Sequence, residues 1–349
     1  MKAKTFFLAS LAVIFICFGA LIALLSIEDP LFVLGGIGEG ETALFSNQRY
    51  EMPGLIRHQN YSAVVMGTSL VANYRASWFT EGLGKQTLKI TFPDGWVSEF
   101  DAALELAFRT HPGLDTVYFC FDPNILIRPD SQRTVELPRY LYNLNPLDDV
   151  EYLLNADTYA LALTARQLRR ESKTVTLDEA YVWDGTFTFD KAHALEHYVR
   201  PAVNADTLPA DAFLAAADEN LAVVCRWLRE RPDVEFVIWF PPYCVLYWDL
   251  RTREGAAEAV IAAVEHAASL LLEYGNAELH CFLDAFDVIT DLDNYTDHIH
   301  CSSAVTAWEA QNLMEGGWEL TRENCRERLD ALRQFAADYD YDSIFDEAG

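Results

Sequence analysis

Cationic side chains are scarce in this sequence. Its 349 residues include 26 Lys and Arg against 53 Asp and Glu, a net charge of −27 with histidine neutral. Such a surface repels phosphate backbones and argues against nucleic acid as a partner. Cysteine is sparse as well: Cys17, Cys120, Cys225, Cys244, Cys281, Cys301 and Cys325, with no C-x-x-C pair among them. A zinc or thioredoxin-type site therefore has no support, and the spacing fixes no disulfide pairing. Internal repeats and low-complexity tracts are absent. So is any second apolar run comparable to the one near the N-terminus.

That run, residues 6–25, contains no charged side chain. About 20 residues at 1.5 Å rise cross the ~30 Å hydrocarbon core. Lys2 and Lys4 precede it, and the first charges after it are Glu28 and Asp29. The positive-inside rule then makes residues 1–5 a cytoplasmic tail, residues 6–27 a single-pass anchor in the cell membrane, and the rest an extracytoplasmic body. A cleaved signal peptide is the alternative. The run exceeds a usual signal core and no A-x-A site follows, which favours an uncleaved anchor. Residues 28–54, with Gly35, Gly36, Gly38 and Gly40, read as a linker.

The body, residues 55–349, has a globular composition, since the whole chain is 51% apolar and 23% charged. Short apolar strands are expected at 62–66, 87–92, 115–121, 236–240 and 278–283. Helices are expected at 98–110, 211–231 and 254–274, and again after His300, with a break near Gly316-Gly317. Strands alternating with helices argue an α/β fold whose parallel sheet is covered on both faces. Residues 124–208 break the alternation and carry many aromatics, Tyr140, Tyr142, Tyr152, Tyr159, Tyr181 and Trp183 among them. They read as a mostly helical insertion between the third and fourth strands. The acidic stretch 338–347 is expected to fray.

Two stretches carry the chemistry. Ala63-Val64-Val65-Met66 is a continuous apolar run, as suits a strand buried on both faces, and it ends at Gly67-Thr68-Ser69. A serine at the C-terminal end of the first strand lies where α/β sheets place their chemistry. The plain alternative is a Gly-Thr-Ser turn that caps the next helix. Some 230 residues on comes Asp297-His298-Ile299-His300. An Asp three residues before a His can hold Nδ1–H and leave Nε2 facing outward as the base a serine needs. A polar loop is again the alternative, as is a metal held by the carboxylate and two histidines. Tyr243 and Trp248, after the fourth strand, read either as a stacking platform for sugar rings or as core. His193 and His197, four apart in the insertion, read as solvent-facing.

G-x-S after strand one is followed by Asn73-Tyr74, Phe240-Pro241-Pro242-Tyr243, Leu292-Asp293-Asn294-Tyr295, Asp297 and His300, all behind an N-terminal anchor. Over about residues 55–310 this pattern resembles the SGNH (GDSL-like) hydrolases, in particular their membrane-anchored extracytoplasmic bacterial type. That group includes O-acetyltransferases of exopolysaccharide and proteins that esterify teichoic acid with D-alanine. The resemblance implies a three-layer, flavodoxin-like five-stranded sheet, and neither cofactor nor metal. It puts the nucleophile at Ser69, the base at His300 and the orienting carboxylate at Asp297, with the Ser69 and Gly95 amides forming an oxyanion hole. The family's third block, G-x-N-D, is replaced by Phe121-Asp122-Pro123-Asn124. An ionised Asp122 cannot donate a hydrogen bond, so Asn124 is the remaining donor candidate. The implied activity is that of a serine esterase or O-acyltransferase. Its partners would be an acylated glycan or cell-envelope polymer and a membrane protein supplying the acyl donor. The alternative is a catalytically silent domain that binds or scaffolds envelope glycan.

Overall fold

A computed structural model describes residues 2–346 and divides the chain into two compact units. One comprises Met1–Gln59 and Leu137–Ala180, the other Asn60–Glu136 and Tyr181–Gly349.

In the first unit, the helix Lys2–Glu28 is long and apolar enough to cross a membrane. Most of its apolar side chains, Phe6, Phe7, Ile14 and Phe15 among them, are exposed. Beyond it the chain is packed, although glycines there had suggested a linker. Leu25, Leu31 and Val33 share a buried cluster with Leu141, Tyr152 and Ala162. Glu28 pairs with Arg169 at 3.1 Å. The Asp29 carboxylate accepts the amides of Val33, Leu34 and Gly35 and the Tyr152 hydroxyl. The helix Gln48–His58 follows, and a two-strand ribbon pairs Thr42–Ala43 with Val175–Thr176. Gly54 serves packing: a Cβ there would stand 2.4 Å from the carbonyl oxygens of Leu31 and Phe32.

The second unit holds a five-stranded parallel sheet: β1 (Ala63–Gly67), β2 (Thr87–Thr91), β3 (Thr116–Cys120), β4 (Glu235–Phe240) and β5 (Ala277–Cys281), in the order β2-β1-β3-β4-β5. In register, Met66 lies beside Ile90 on one side and Phe119 on the other. Ala63 to Met66 are wholly buried, as the unbroken apolar run requires. The strand-linking helices form two contact sets. Val97–Thr110, Leu214–Glu230, Ala257–Leu271 and Cys325–Asp338 touch in succession, while Ala76–Leu83 packs on Ser303–Glu315. Gly316 ends the latter in the left-handed conformation, φ 73°, which accounts for the break expected there. Part of the acidic terminus is ordered as the turn Ser343–Asp346; residues 347–349, like Met1, lie outside the described residues. Because every pairing is parallel, the C-terminal ends of all five strands share one edge.

Candidate active site

At that edge β1 turns sharply. A Cβ on Gly67 would stand 2.5 Å from Val71 Cγ2 and 2.7 Å from Cys120 Cβ, so only glycine lets the turn fold back against β3. Ser69 opens a 3₁₀ turn, Ser69–Val71, whose first amides have no partner within it. β2 pins this turn from the side. Thr91 Oγ1 donates to the Thr68 carbonyl at 2.8 Å, and the buried Lys89 ammonium donates to the carbonyls of Ala72 and Tyr74 at 2.8 and 2.7 Å.

The second half of the site is a loop after β5, pinched at its base. Tyr295 and Cys301 form a bridge, Thr296 N–H donates to the His300 carbonyl, and Ser302 N–H to that of Asn294. Asn73 ties the loop to the serine turn: its Nδ2 donates to the Cys301 carbonyl at 2.9 Å. The same side chain accepts the Trp183 amide at 2.8 Å. Trp183 in turn lies against the His300 ring, centroids 4.5 Å apart.

Within this frame Ser69 Oγ lies 2.8 Å from His300 Nε2, and His300 Nδ1 lies 2.6 Å from Asp297 Oδ2. Asp297 Oδ1 accepts the amides of Ile299 and His300, both at 2.8 Å. Burial raises the Asp297 pKa, but the His300 ring and these two amides outweigh it and hold the carboxyl down at about 2. Its negative charge fixes the imidazole with Nδ1–H toward Asp297, leaving Nε2 to face the serine. His300 is partly buried, with 17% of its side chain exposed.

Other candidates from the sequence fall differently. Gly95 follows β2, in a loop where Asp94 has φ 48°. Its N–H has no hydrogen-bond partner among the described residues. Its carbonyl accepts Arg128 at 2.8 Å, and Arg128 also pairs with Asp94. Asn124 Oδ1 accepts Arg251 at 3.0 Å, which leaves its NH₂ as a donor. Asn124, Arg128 and Arg251 line a groove of about 730 Å³. No hydrogen bond joins Gly95 or Asn124 to Ser69. Asp122 is a buried hub, accepting Thr68 and Tyr243 hydroxyls at 2.8 Å and the Ile125 amide at 3.1 Å. Burial pushes its pKa up, against those hydrogen bonds.

Tyr243 and Trp248 require a correction: both are buried, at 1% and 0% exposure, and present no face to a sugar ring. The hydroxyl of Tyr243 is spent on Asp122, and its ring packs edge-on against Tyr247. Among the described residues, the metal-capable groups that gather are His193, Glu196 and His197, not Asp297, His298 and His300. The pKa of His298 is lowered, chiefly by burial. The sequence alone assigns no role to Asn73 or Trp183. Asn73 lies four residues past the serine, within reach of the same turn; nothing local marks Trp183.

No protein-family model matches the chain, and no curated protein matches it. Among solved structures, it is similar to one described as "a putative platelet activating factor from Streptococcus pneumonia". The identity is 12% and the TM-score 0.37, over 77% of this chain and 90% of that one.

Proposed function

We propose that the second unit is a serine esterase or O-acyltransferase of SGNH type. The observation that carries this reading is the hydrogen-bonded series Ser69–His300–Asp297, at 2.8 and 2.6 Å. The strand order 2-1-3-4-5 is one of the doubly wound orders, in which ligands sit at the carboxyl edge of the sheet, and it is consistent with the three-layer arrangement.

In this reading Ser69 Oγ attacks the acyl carbon while His300 Nε2 takes the hydroxyl proton. The carbonyl oxygen becomes an oxyanion, stabilised by the Ser69 and Gly95 amides and the Asn124 NH₂. Collapse breaks the ester C–O bond, and His300 returns the proton to the departing alcohol. An acyl-Ser69 remains. A second alcohol or a water then gives its proton to His300 and attacks, which restores the serine. Asp297 stays ionised throughout and stabilises the imidazolium.

The apolar run of the N-terminal helix, residues 6–25, with Lys2 and Lys4 before it, supports a single-pass anchor with the site outside the cell membrane. Acylated envelope glycan is then the substrate class we propose, with the donor delivered from the membrane.

The test is labelling by a fluorophosphonate together with turnover of a simple acetate ester. Wild-type protein should label at Ser69 and turn over, and Ser69→Ala should do neither. An unlabelled wild type would leave the silent glycan-binding domain as the better reading.

A further inference from the structure

We infer that Trp183 and Phe187 form a subsite for the alcohol half of the ester, and that this subsite takes a sugar ring. The inference rests on the proposed roles of Ser69 and His300. His300 must hand its proton to the alcohol oxygen from Nε2, so that oxygen lies within hydrogen-bond reach of the ring. Whatever the alcohol carries therefore sits beside His300, not out along the acyl group.

The group beside His300 is Trp183, its indole 4.5 Å from the imidazole, centroid to centroid. Phe187 stands 5.1 Å from Trp183 and is 47% exposed. The two are presented by a tight turn in which Asp184 bridges to Phe187, Thr186 and Phe187 amides donate to the Trp183 carbonyl, and Gly185 takes φ 76°. This turn is anchored at its base by Asn73, which accepts the Trp183 amide. The result is an aromatic surface, open to solvent on the Phe187 side and held in register with the proposed base.

Its rim is polar. Asp184 accepts Ser303 Oγ at 2.6 Å and stands 3.9 Å from Arg75. A carboxylate offers about four acceptor sites, so Asp184 can take further hydroxyl donors while it keeps these partners. Aromatic rings flanked by a carboxylate and a guanidinium match a ring with an apolar C–H face and hydroxyls around its edge. Tyr243 and Trp248, after β4, are buried and cannot stack on a sugar ring.

The experiment has a binding arm and a turnover arm. In the binding arm, Ser69→Ala protein is titrated with 6-O-acetylglucopyranose, whose other hydroxyls are free, and followed by NMR. We expect saturable binding, weakened at least about tenfold when Phe187→Ala is added. In the turnover arm, kcat/KM for that sugar ester relative to ethyl acetate should fall about tenfold or more in Phe187→Ala, with Trp183→Phe retaining more of the ratio than Trp183→Ala. Equal losses on both esters would show that Trp183 only positions His300 and would overturn the inference. So would cyclohexyl acetate matching the sugar ester, since the polar rim would then contribute nothing. If wild-type protein fails to label with fluorophosphonate yet sugar binding still falls with Phe187→Ala, the catalytic reading is lost and the subsite stands. If it labels and binding is indifferent to Phe187→Ala, the reverse holds.

Discussion

The two halves of the candidate site are held by different means. The serine turn is fixed by the sheet itself: Gly67 allows a close approach to Cys120 and Val71, while Thr91 and Lys89 on the neighbouring strand hold its carbonyls. The histidine loop is pinched at its base by backbone hydrogen bonds, but its tie to the serine turn and the setting of its ring rest on two side chains, Asn73 on Cys301 and Asp297 on two amides. Behind that loop lies Glu309, wholly buried, with Tyr74 OH, Trp239 Nε1 and Cys301 Sγ close to its carboxyl. Among the described residues, of these three only Cys301, at 3.9 Å, makes a hydrogen bond to it, and Tyr74 OH, Trp239 Nε1 and Glu309 Oε1 have no hydrogen-bond partner. Sheet register is shared among many residues, whereas a side-chain network hangs on a few. The serine side should therefore resist by sterics and the histidine side should fail by titration or by single deletions.

The largest expected effect lies on the histidine side. Asp297→Asn keeps the shape but removes the charge that selects the tautomer, and should lower kcat by about 10⁴ with KM little changed. Steady-state kinetics check this. An undiminished kcat would mean that the loop amides alone set the ring.

Next comes Glu309. Burial raises its pKa to about 8, against an ordinary 4.5, with Tyr74, Trp239 and Cys301 acting the other way. The folded state therefore binds more protons than the unfolded state between these values, so stability falls as pH rises through that window. Glu309→Gln should flatten this slope and raise stability at pH 8 by roughly a few kcal/mol. Urea unfolding at pH 5 and pH 8 measures it; parallel curves for the two proteins would deny the titration.

On the serine side, Gly67→Ala drives a methyl into Val71 and Cys120. It should cost about 1–3 kcal/mol of stability at every pH, read by the same unfolding series. A pH-dependent cost would erase the contrast between the halves. The smallest effect expected is for Asn73→Ala, at about 1 kcal/mol or somewhat more from the carbonyl of Cys301 and amide of Trp183 left without this partner. Its value lies in the pattern: kcat should drop more than stability implies, because both neighbours of His300 loosen together.

Much of this was legible in the chain. The five strands fall within two residues of their expected ends because each is short, dominated by apolar or β-branched residues despite Lys89 in β2 and Glu278 and His280 in β5, and closed by a polar or turn cluster. Ser69 stands out because G-x-S closes β1, and Asp297 and His300 because D-x-x-H lies in the loop beyond β5, on the same edge of the sheet. Tyr243 and Trp248 were ambiguous for a related reason: aromatics after a strand look the same whether the following helix, Val245–Arg253, covers them or not. The packing of residues 28–59 with 137–180 was not readable, since glycines that permit close approach and glycines that permit flexibility have one letter. Trp183 is likewise placed by Asn73, 110 residues away, and no local periodicity encodes such a pairing.

The separation of Ser69 and His300, 231 positions along the chain, also has a consequence in time. At ~5–20 residues per second, synthesis delivers the histidine about 10–50 s after the serine. The contacts that hold the serine turn come from β1 to β3, whereas its partner arrives only after β5. A nascent polypeptide that has not reached residue 300 would thus carry Ser69 without its hydrogen-bonded histidine.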